Sequence, residues 1–318
     1  MSRTIALISP GQEVRGGNRV TASRWAGIFR ELSWEVFEEP VWSGRAADVL
    51  VALHARRSHD SILRFAATHP DRPIVVAATG TDVYGDAPIS AEVRDSFLRA
   101  TRIVVLQPRA VESLPEATRG RARVVYQSVA VPDRRPGKVE DAFQVCAMAH
   151  LRAVKDPLLP ARAIRLLPGS SKIRLVLLGG SLDDSLRADA EREQRENPRF
   201  RWLGERPRSE ALEVLARSHL FVSSSRHEGG SNVISEAIAL GLPILATAVP
   251  GSLGLLGDAH PGLYPVGDAP KLAELLLRAE SDPRYLASLG RHSLALAGLT
   301  DPARERESWR ALLAEVAG

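Results

Sequence analysis

The stretch LFVSSSRHEGGSNVISEAIALGLPILAT, residues 220–247, contains the pattern that decides the fold. Its first and last four residues are apolar runs, which predict two buried strands. Between them, Gly229 and Gly230 precede apolar residues at helical spacing, and Gly241 with Pro243 ends that predicted helix. Two strands joined through a helix predict a parallel pair in an α/β sheet.

The same alternation of apolar runs and helical patterns continues along the 318 residues. A chain of this length exceeds what one core usually supports, so two doubly wound α/β domains are expected. Residues 131–141, which are rich in Pro, Gly and charge, are the predicted linker. We predict a first domain at 1–136, a second at 142–300 and a terminal helical segment at 301–318. Strands are predicted at residues 5–9, 48–53, 74–78, 103–106, 123–126, 143–147, 174–178, 201–203, 220–223 and 244–247, and helices at 18–32, 58–68 and 302–316.

Composition and charge exclude several classes of protein. Apolar residues make up 44% of the chain, and no apolar run approaches the roughly 20 residues that a bilayer requires. The run at residues 4–9 is too short for a signal peptide, so we expect a cytoplasmic protein without membrane insertion. The 42 basic and 38 acidic residues are interleaved, which argues against a nucleic-acid partner. The lone cysteine, Cys146, allows no intramolecular disulfide and is expected to be a buried structural residue.

The glycine turn before residue 232 is a candidate anion site. Ser231 or Asn232 can cap the helix, whose first amides have no intrahelical acceptors and lie at the positive end of its dipole. The two glycines allow a ligand to approach the backbone closely. Glu228 before the turn and Glu236 within the helix can reach different hydroxyl-bearing parts of one ligand. The same pattern also fits an ordinary turn and a helix on which Glu236 is a solvated residue.

This segment resembles the Glu-x7-Glu signature of retaining GT-B glycosyltransferases of the family 4 type, and residues 241–247 continue the resemblance. It implies a GT-B fold, in which two Rossmann-like domains face a cleft and the last helix crosses back to the first domain. It also implies that Glu236 binds the ribose hydroxyls of a nucleotide sugar and that Glu228 contacts the donor sugar.

Polar loops follow the predicted strands of the first domain, at the edge where open α/β sheets bind ligands. The first is a glycine loop before a helix, which suits backbone binding of a phosphate or sugar, or is a plain turn. It lacks the Gly-x-Gly-x-x-Gly spacing of dinucleotide-dependent dehydrogenases. The second carries two guanidiniums, which either grip an oxyanion or are solvated charges. The candidate residues of these loops are Gly16, Gly17 and Asn18, then His54, Arg56 and Arg57, then Thr79, Thr81 and Asp82.

Residues 149–157, AHLRAVKDP, follow the first predicted strand of the second domain and resemble the family's Arg-x4-Lys diphosphate clamp. Lys155 matches the lysine, whereas His150 stands at the arginine position and Arg152 lies two residues further on. The departing diphosphate is therefore neutralised by His150, by Arg152 or by both. Gly204 lies in a turn that resembles the loop for a uracil-type base.

The motifs GGNRVTA, LHARRS, TGTD, VVLQP and HLRAVKDP resemble, over nearly the whole chain, the short bacterial GT-B group of selenosugar synthases in selenoneine biosynthesis. This resemblance implies that selenophosphate attacks the anomeric carbon of a UDP-sugar, UDP-N-acetylglucosamine or UDP-glucose. The product is a selenium-linked sugar after loss of phosphate. Enzymes that supply selenophosphate are candidate partners.

The residues agree with such an acceptor in two respects. A small trianion needs a cationic pocket, which Arg56 and Arg57 can supply. Because it is already ionised it needs no strong general base, and His54 then orients it or stabilises charge. The candidate catalytic residues are His54, Arg152, Lys155 and Glu228. No Asp-x-Asp pair follows a predicted strand, so we expect no metal, and no cofactor besides the UDP-sugar substrate.

Two alternatives stay open from the sequence. An ordinary retaining GT-B glycosyltransferase with a saccharide or lipid acceptor would be expected to carry a basic and aromatic patch, which an aromatic content of 5% disfavours. A non-catalytic nucleotide-sugar sensor would tolerate loss of the candidate residues, whereas Glu228, Glu236 and Lys155 are all present.

Overall fold

The computed structural model describes residues 3–10, 17–79, 83, 89–131 and 136–318. The chain divides into two compact units. The first comprises Met1–Ser128, Glu228–Asn232 and Pro302–Gly318, and the second comprises Val129–His227 and Val233–Asp301. The division falls before the sequence-derived linker, because Val129 N donates to Thr300 O and Val139 N donates to Arg217 O, which tie these two residues to the second unit.

The first unit is built on a parallel sheet of six strands in the order β2-β1-β3-β4-β5-β6. Apolar runs with β-branched residues form the central strands, which are buried on both faces as parallel sheets require. The strands are β1 (Thr4–Ile8), β2 (Glu35–Glu39), β3 (Val49–Leu53), β4 (Ile74–Ala78), β5 (Arg102–Val105) and β6 (Ala122–Val124). The helices are α1 (Gly17–Glu31), α2 (His59–Thr68), α3 (Ala91–Arg99) and the last helix of the chain, α11 (Pro302–Ala317).

The terminal helix α11 packs on α1 within the first unit. Trp309 of α11 contacts Trp25 and Phe29 edge to face, with ring centroids 4.7 Å apart in both pairs. All three rings are fully buried, so α11 completes the core on one face of the sheet. Trp42, Phe65 and Phe97 belong to the core on the other face.

The second unit repeats the parallel architecture with the strand order β12-β11-β10-β7-β8-β9. Side chains of Asp183, Asp268 and Asp282 accept hydrogen bonds from first-turn amides and so start three of its helices. The strands are β7 (Phe143–Met148), β8 (Ile173–Leu178), β9 (Phe200–Gly204), β10 (Leu220–Ser223), β11 (Ile244–Thr247) and β12 (Leu263–Tyr264). The helices are α4 (Leu159–Arg165), α5 (Asp184–Glu196), α6 (Arg208–Arg217), α7 (Asn232–Ala239), α8 (Pro250–Leu256), α9 (Ala269–Ser281) and α10 (Pro283–Leu296). The first residue of α7, Asn232, is also the last residue of the segment Glu228–Asn232 of the first unit.

Cys146 lies in β7 and is fully buried. Burial raises the pKa of its thiol to about 12, so Cys146 is a core residue without thiolate character. Among the residues that the structure describes, no helix is long and apolar enough to cross a membrane.

Candidate functional site

In the second unit, the turn that carries Lys155 is stabilised by hydrogen bonds of the next residue, Asp156. Asp156 has a left-handed backbone conformation (φ 39°) and is 8% exposed. Its two carboxylate oxygens accept hydrogen bonds from Arg162 Nη2 (2.8 Å) and Arg226 Nη2 (2.9 Å). Ser224 Oγ donates to the carbonyl oxygens of Lys155 (3.1 Å) and Asp156 (2.9 Å). The loops that follow β7 and β10 are therefore joined at the carboxyl edge of the second sheet.

The segment after β10 is also held from the two strands on its other side. Thr247 Oγ1, at the end of β11, donates to Ser225 O (2.6 Å), and Tyr264 Oη of β12 donates to Ser223 O (2.8 Å). Burial, together with the negative charge of Asp156, raises the pKa of Tyr264 well above its usual value. Tyr264 is consequently protonated at neutral pH and donates this hydrogen bond. The backbone that leads to residue 228 is thus held by hydrogen bonds from β11 and β12.

Glu236, on α7, is 5% exposed and its Oε1 lies 2.9 Å from Arg208 Nη2 at the start of α6. A buried carboxylate is unfavourable without such a partner. The alternative of a solvated surface Glu236 is therefore wrong. Arg208 is a residue that sequence reasoning missed, since it lies 28 positions earlier on a different helix.

His150 and Gly204 lie at one edge of the second sheet, beside the loop after β8. Gly180 N donates to His150 Nδ1 (3.0 Å), which leaves Nε2 as the protonated nitrogen of the neutral imidazole. Gly179 N donates to Gly204 O (2.9 Å), and both glycines have positive φ, 139° and 70°. A Cβ on Gly179 would lie 2.1 Å from Ala149 O, so this close approach of loops requires glycine.

Arg152 is half-buried in the second unit, and its Nε is a buried donor with no hydrogen-bond partner. Buried donors in native proteins are nearly always satisfied by protein, water or ligand. Arg152 therefore retains hydrogen-bonding capacity for a ligand, which agrees with its candidate role beside Lys155.

In the first unit, the segment Glu228–Asn232 contacts residues that follow strands β5 and β6. Glu228 is 9% exposed, Ser231 is 7% exposed and Gly229 is also buried. A Cβ on Gly230 would lie 2.4 Å from the Cβ of Leu106, so this contact excludes any side chain. Asn232 Nδ2 lies 3.4 Å from Gly17 O at the start of α1. The structure thus brings Gly17 and Asn232 together. Gly17, the first residue of α1, is exposed, and the next residue, Asn18, is half-buried.

His54 and Thr79 follow the neighbouring strands β3 and β4 of the first unit. His54 has a positive φ of 68°, is 7% exposed and accepts a hydrogen bond from Arg57 N at Nδ1 (3.4 Å). The His54 ring therefore also stabilises the backbone of the turn that leads to Arg57. Arg56 and Arg57 are exposed. The Oγ1 atom of Thr79 is buried and has no hydrogen-bond partner, so neither guanidinium binds that hydroxyl.

Three candidate residues, Gly16, Thr81 and Asp82, lie outside the described residues. Within the described ranges, no group of three or more His, Cys, Asp or Glu side chains is placed to hold a metal ion.

The two parallel α/β sheets carry loops of small, basic and carboxylate residues at their carboxyl edges, where open α/β sheets bind ligands. Residues 132–293, just over half of the chain, match the model of the family "Glycosyl transferases group 1". The chain belongs to that family.

Relatives and solved structures agree with this assignment. The chain is 32% identical over 114 residues to glycosyltransferase 1 domain-containing protein 1 of Xenopus tropicalis, covering 36% of this chain and 33% of that protein. It is 34% identical over 103 residues to a GDP-mannose-dependent alpha-mannosyltransferase of Mycobacterium tuberculosis, covering 32% of this chain and 26% of that protein. The matched regions thus span a third or less of these relatives' lengths.

The fold is similar to that of solved glycosyltransferases along the whole chain. The crystal structure of Anabaena HepE (Alr3699) in complex with UDP and glucose superposes with a TM-score of 0.74 at 15% identity, covering 99% of this chain and all of that one. A sucrose-phosphate synthase from Thermosynechococcus elongatus superposes with a TM-score of 0.78 at 15% identity, covering 98% of each chain. The expected α/β GT-B fold is confirmed.

Proposed function

We propose that this protein transfers a sugar from a UDP-sugar, and that the acceptor is selenophosphate. The observation that carries the first part is the second unit's carboxyl edge, where the buried Glu236 carboxylate and the fastened Lys155 turn lie in a chain of the group 1 glycosyltransferase family. In this proposal Glu236 binds the ribose hydroxyls of the donor and Glu228 contacts its sugar.

The residues have distinct roles in the transfer. Lys155 and Arg152 neutralise the diphosphate as it departs, and His150 contributes its Nε2–H as a hydrogen-bond donor. In this proposal the amides at Gly230, Ser231 and Asn232 also donate hydrogen bonds to the donor diphosphate. Preorganised donors of this kind stabilise charge that develops in the transition state, and one such donor is worth about 10²–10³-fold in rate.

The acceptor half of the proposal rests on the first unit and on the resemblance to selenosugar synthases. Arg56 and Arg57 are exposed after β3, and the buried hydroxyl of Thr79 after β4 has no partner. A phosphate-like trianion would be bound by forked guanidiniums and would supply the acceptor atom that the threonine hydroxyl requires.

The reaction has two steps. The selenium atom of selenophosphate attacks the anomeric carbon, and the bond from that carbon to the diphosphate oxygen breaks as UDP leaves with its electron pair. Water then attacks phosphorus in the selenium-linked intermediate, the P–Se bond breaks, and inorganic phosphate and the sugar selenol are released. Selenophosphate, the nucleophile of the first step, is already an anion, so His54 orients it and need not remove a proton there. In the second step the attacking water gives one proton to the selenium as the P–Se bond breaks.

The test is mass spectrometry of the full chain incubated with UDP-N-acetylglucosamine, UDP-glucose or GDP-mannose, each without an acceptor, with selenophosphate or with a saccharide. A selenium-bearing sugar formed together with UDP supports the whole proposal. GDP-mannose is included because one relative is named for that donor. UDP release with a saccharide and not with selenophosphate would contradict the acceptor assignment, and absence of binding to every nucleotide sugar would contradict the donor assignment.

A further inference from the structure

The strongest feature that the candidate site does not explain is a buried carboxylate on the last helix. Glu305 of α11 is 1% exposed. Its Oε1 accepts from Trp25 Nε1 (2.7 Å), and its Oε2 accepts from Ser128 N (2.8 Å), Ser128 Oγ and Arg24 Nε (2.9 Å). Burial of a carboxylate is costly unless it is paired and fully hydrogen-bonded, and here both conditions are met.

Arg24, on α1, extends this pair toward the glycine segment of the first unit. Its Nε is bound by Glu305, and its two terminal nitrogens have other acceptors. Nη2 donates to Gln127 Oε1 (3.1 Å) and Nη1 donates to Asn232 Oδ1 (3.3 Å). The fixed fork geometry of a guanidinium means that holding Nε also fixes the direction of the other two bonds.

Gln127 makes the second connection. It is 2% exposed, its Oε1 accepts from Thr21 Oγ1 (2.8 Å) as well as from Arg24, and its Nε2 donates to Gly230 O (2.8 Å). Because a guanidinium can only donate, the bond from Arg24 determines which end of the carboxamide is the oxygen. The NH₂ group must then face the carbonyl of Gly230.

The bond to Gly230 O has a direct consequence for the next residue. The carbonyl of Gly230 and the N–H of Ser231 belong to one planar trans peptide, so they point in opposite directions. Fixing the carbonyl oxygen therefore fixes the direction of the Ser231 N–H. The contact between Leu106 and Gly230 removes the space for an alternative placement of this peptide.

We propose that Gln127 and Arg24 are positioning residues that orient the Gly230–Asn232 backbone for the donor diphosphate, and that Glu305 acts through Arg24. The inference rests on the proposed donor role of these amides. All of the contacts that carry it lie within the first unit.

The test combines donor binding with a local measurement that needs no ligand. Gln127→Glu keeps the acceptor for Thr21 and Arg24 but replaces the donor facing Gly230 O with a carboxylate oxygen. We expect UDP affinity, measured by calorimetry, to fall about tenfold. A fall of this size corresponds to the loss of one hydrogen bond between the backbone amides and the diphosphate. Amide hydrogen exchange across residues 228–232 should become faster in the unliganded variant.

The same helix α11 offers a matched control. Glu305→Gln weakens the hold on Arg24, whereas Glu315→Gln removes ion pairs with Arg102 and Arg123 that do not touch the glycine segment. We expect the KM for UDP-sugar to rise in Glu305→Gln and to stay unchanged in Glu315→Gln. This difference should hold even where both variants unfold at a lower temperature than the wild type.

The outcomes separate this inference from the proposed function. Wild-type UDP affinity together with wild-type exchange at residues 228–232 in Gln127→Glu would overturn the positioning role. If the wild-type chain binds no UDP, the proposed function fails, and the exchange measurement alone still decides whether Gln127 orients the segment.

Discussion

Replacing Glu236 by alanine is the perturbation that bears most directly on the donor site. The Glu236 side chain is 6% exposed and its carboxylate lies 2.9 Å from Arg208, whose side chain is 42% exposed. If Glu236 binds ribose hydroxyls, its loss removes hydrogen bonds to a charged group, each worth about 1.5–3 kcal/mol. One such bond corresponds to a UDP affinity about 10- to 150-fold weaker.

The ion pair supplies the control for this prediction. Arg208→Ala leaves the Glu236 carboxylate in place and removes one partner whose guanidinium is well exposed, so UDP affinity should change by less than about fivefold. Isothermal calorimetry of both variants with UDP measures the difference. An Arg208→Ala variant that loses as much affinity as Glu236→Ala would refute the reasoning, because Glu236 would then act only through its ion pair. Unchanged affinity in Glu236→Ala would refute the ribose assignment itself.

Three further outcomes are expected. Gly230→Ala places a Cβ 2.4 Å from the Leu106 Cβ and should lower the free energy of unfolding, measured by urea titration, by about 1–3 kcal/mol. Gly298→Ala, whose Cβ would have nothing within 4 Å, should leave it unchanged. Equal effects of the two substitutions would contradict the contact with Leu106. Lys155→Ala should lower kcat at saturating UDP-sugar by about 100-fold or more with a small change in stability, and a loss confined to KM would contradict a role in leaving-group departure. Burial and His292 lower the pKa of His260 to about 4, so its unfolded form takes up a proton at higher pH than its folded form. Stability should therefore fall by up to about 3 kcal/mol as pH drops from about 6.5 to 4, and this slope should flatten in His260→Asn.

The strands were predictable because parallel strands buried on both faces are continuous apolar runs. Residues 74–78, 220–223 and 244–247 form strands with the predicted bounds. Strand β2 was missed because its sequence, EVFEE, has three glutamates and lies at the sheet edge, where polar side chains are tolerated. Strand β12 has two residues, which is too short for any periodicity to register.

The polar pairs around the site were not predictable in the same way, since they join residues that only the topology brings together. Arg24 and Glu305 are separated by 281 positions. Glu305 nevertheless has a local signal in the sequence. Trp309 and Leu312, four and seven residues further on, place it on the buried face of α11, and both are at most 2% exposed. An acidic residue on the apolar face of a helix has to find a buried donor, so the helical pattern of residues 302–316 by itself requires a partner for Glu305, although it does not say which residue that partner is.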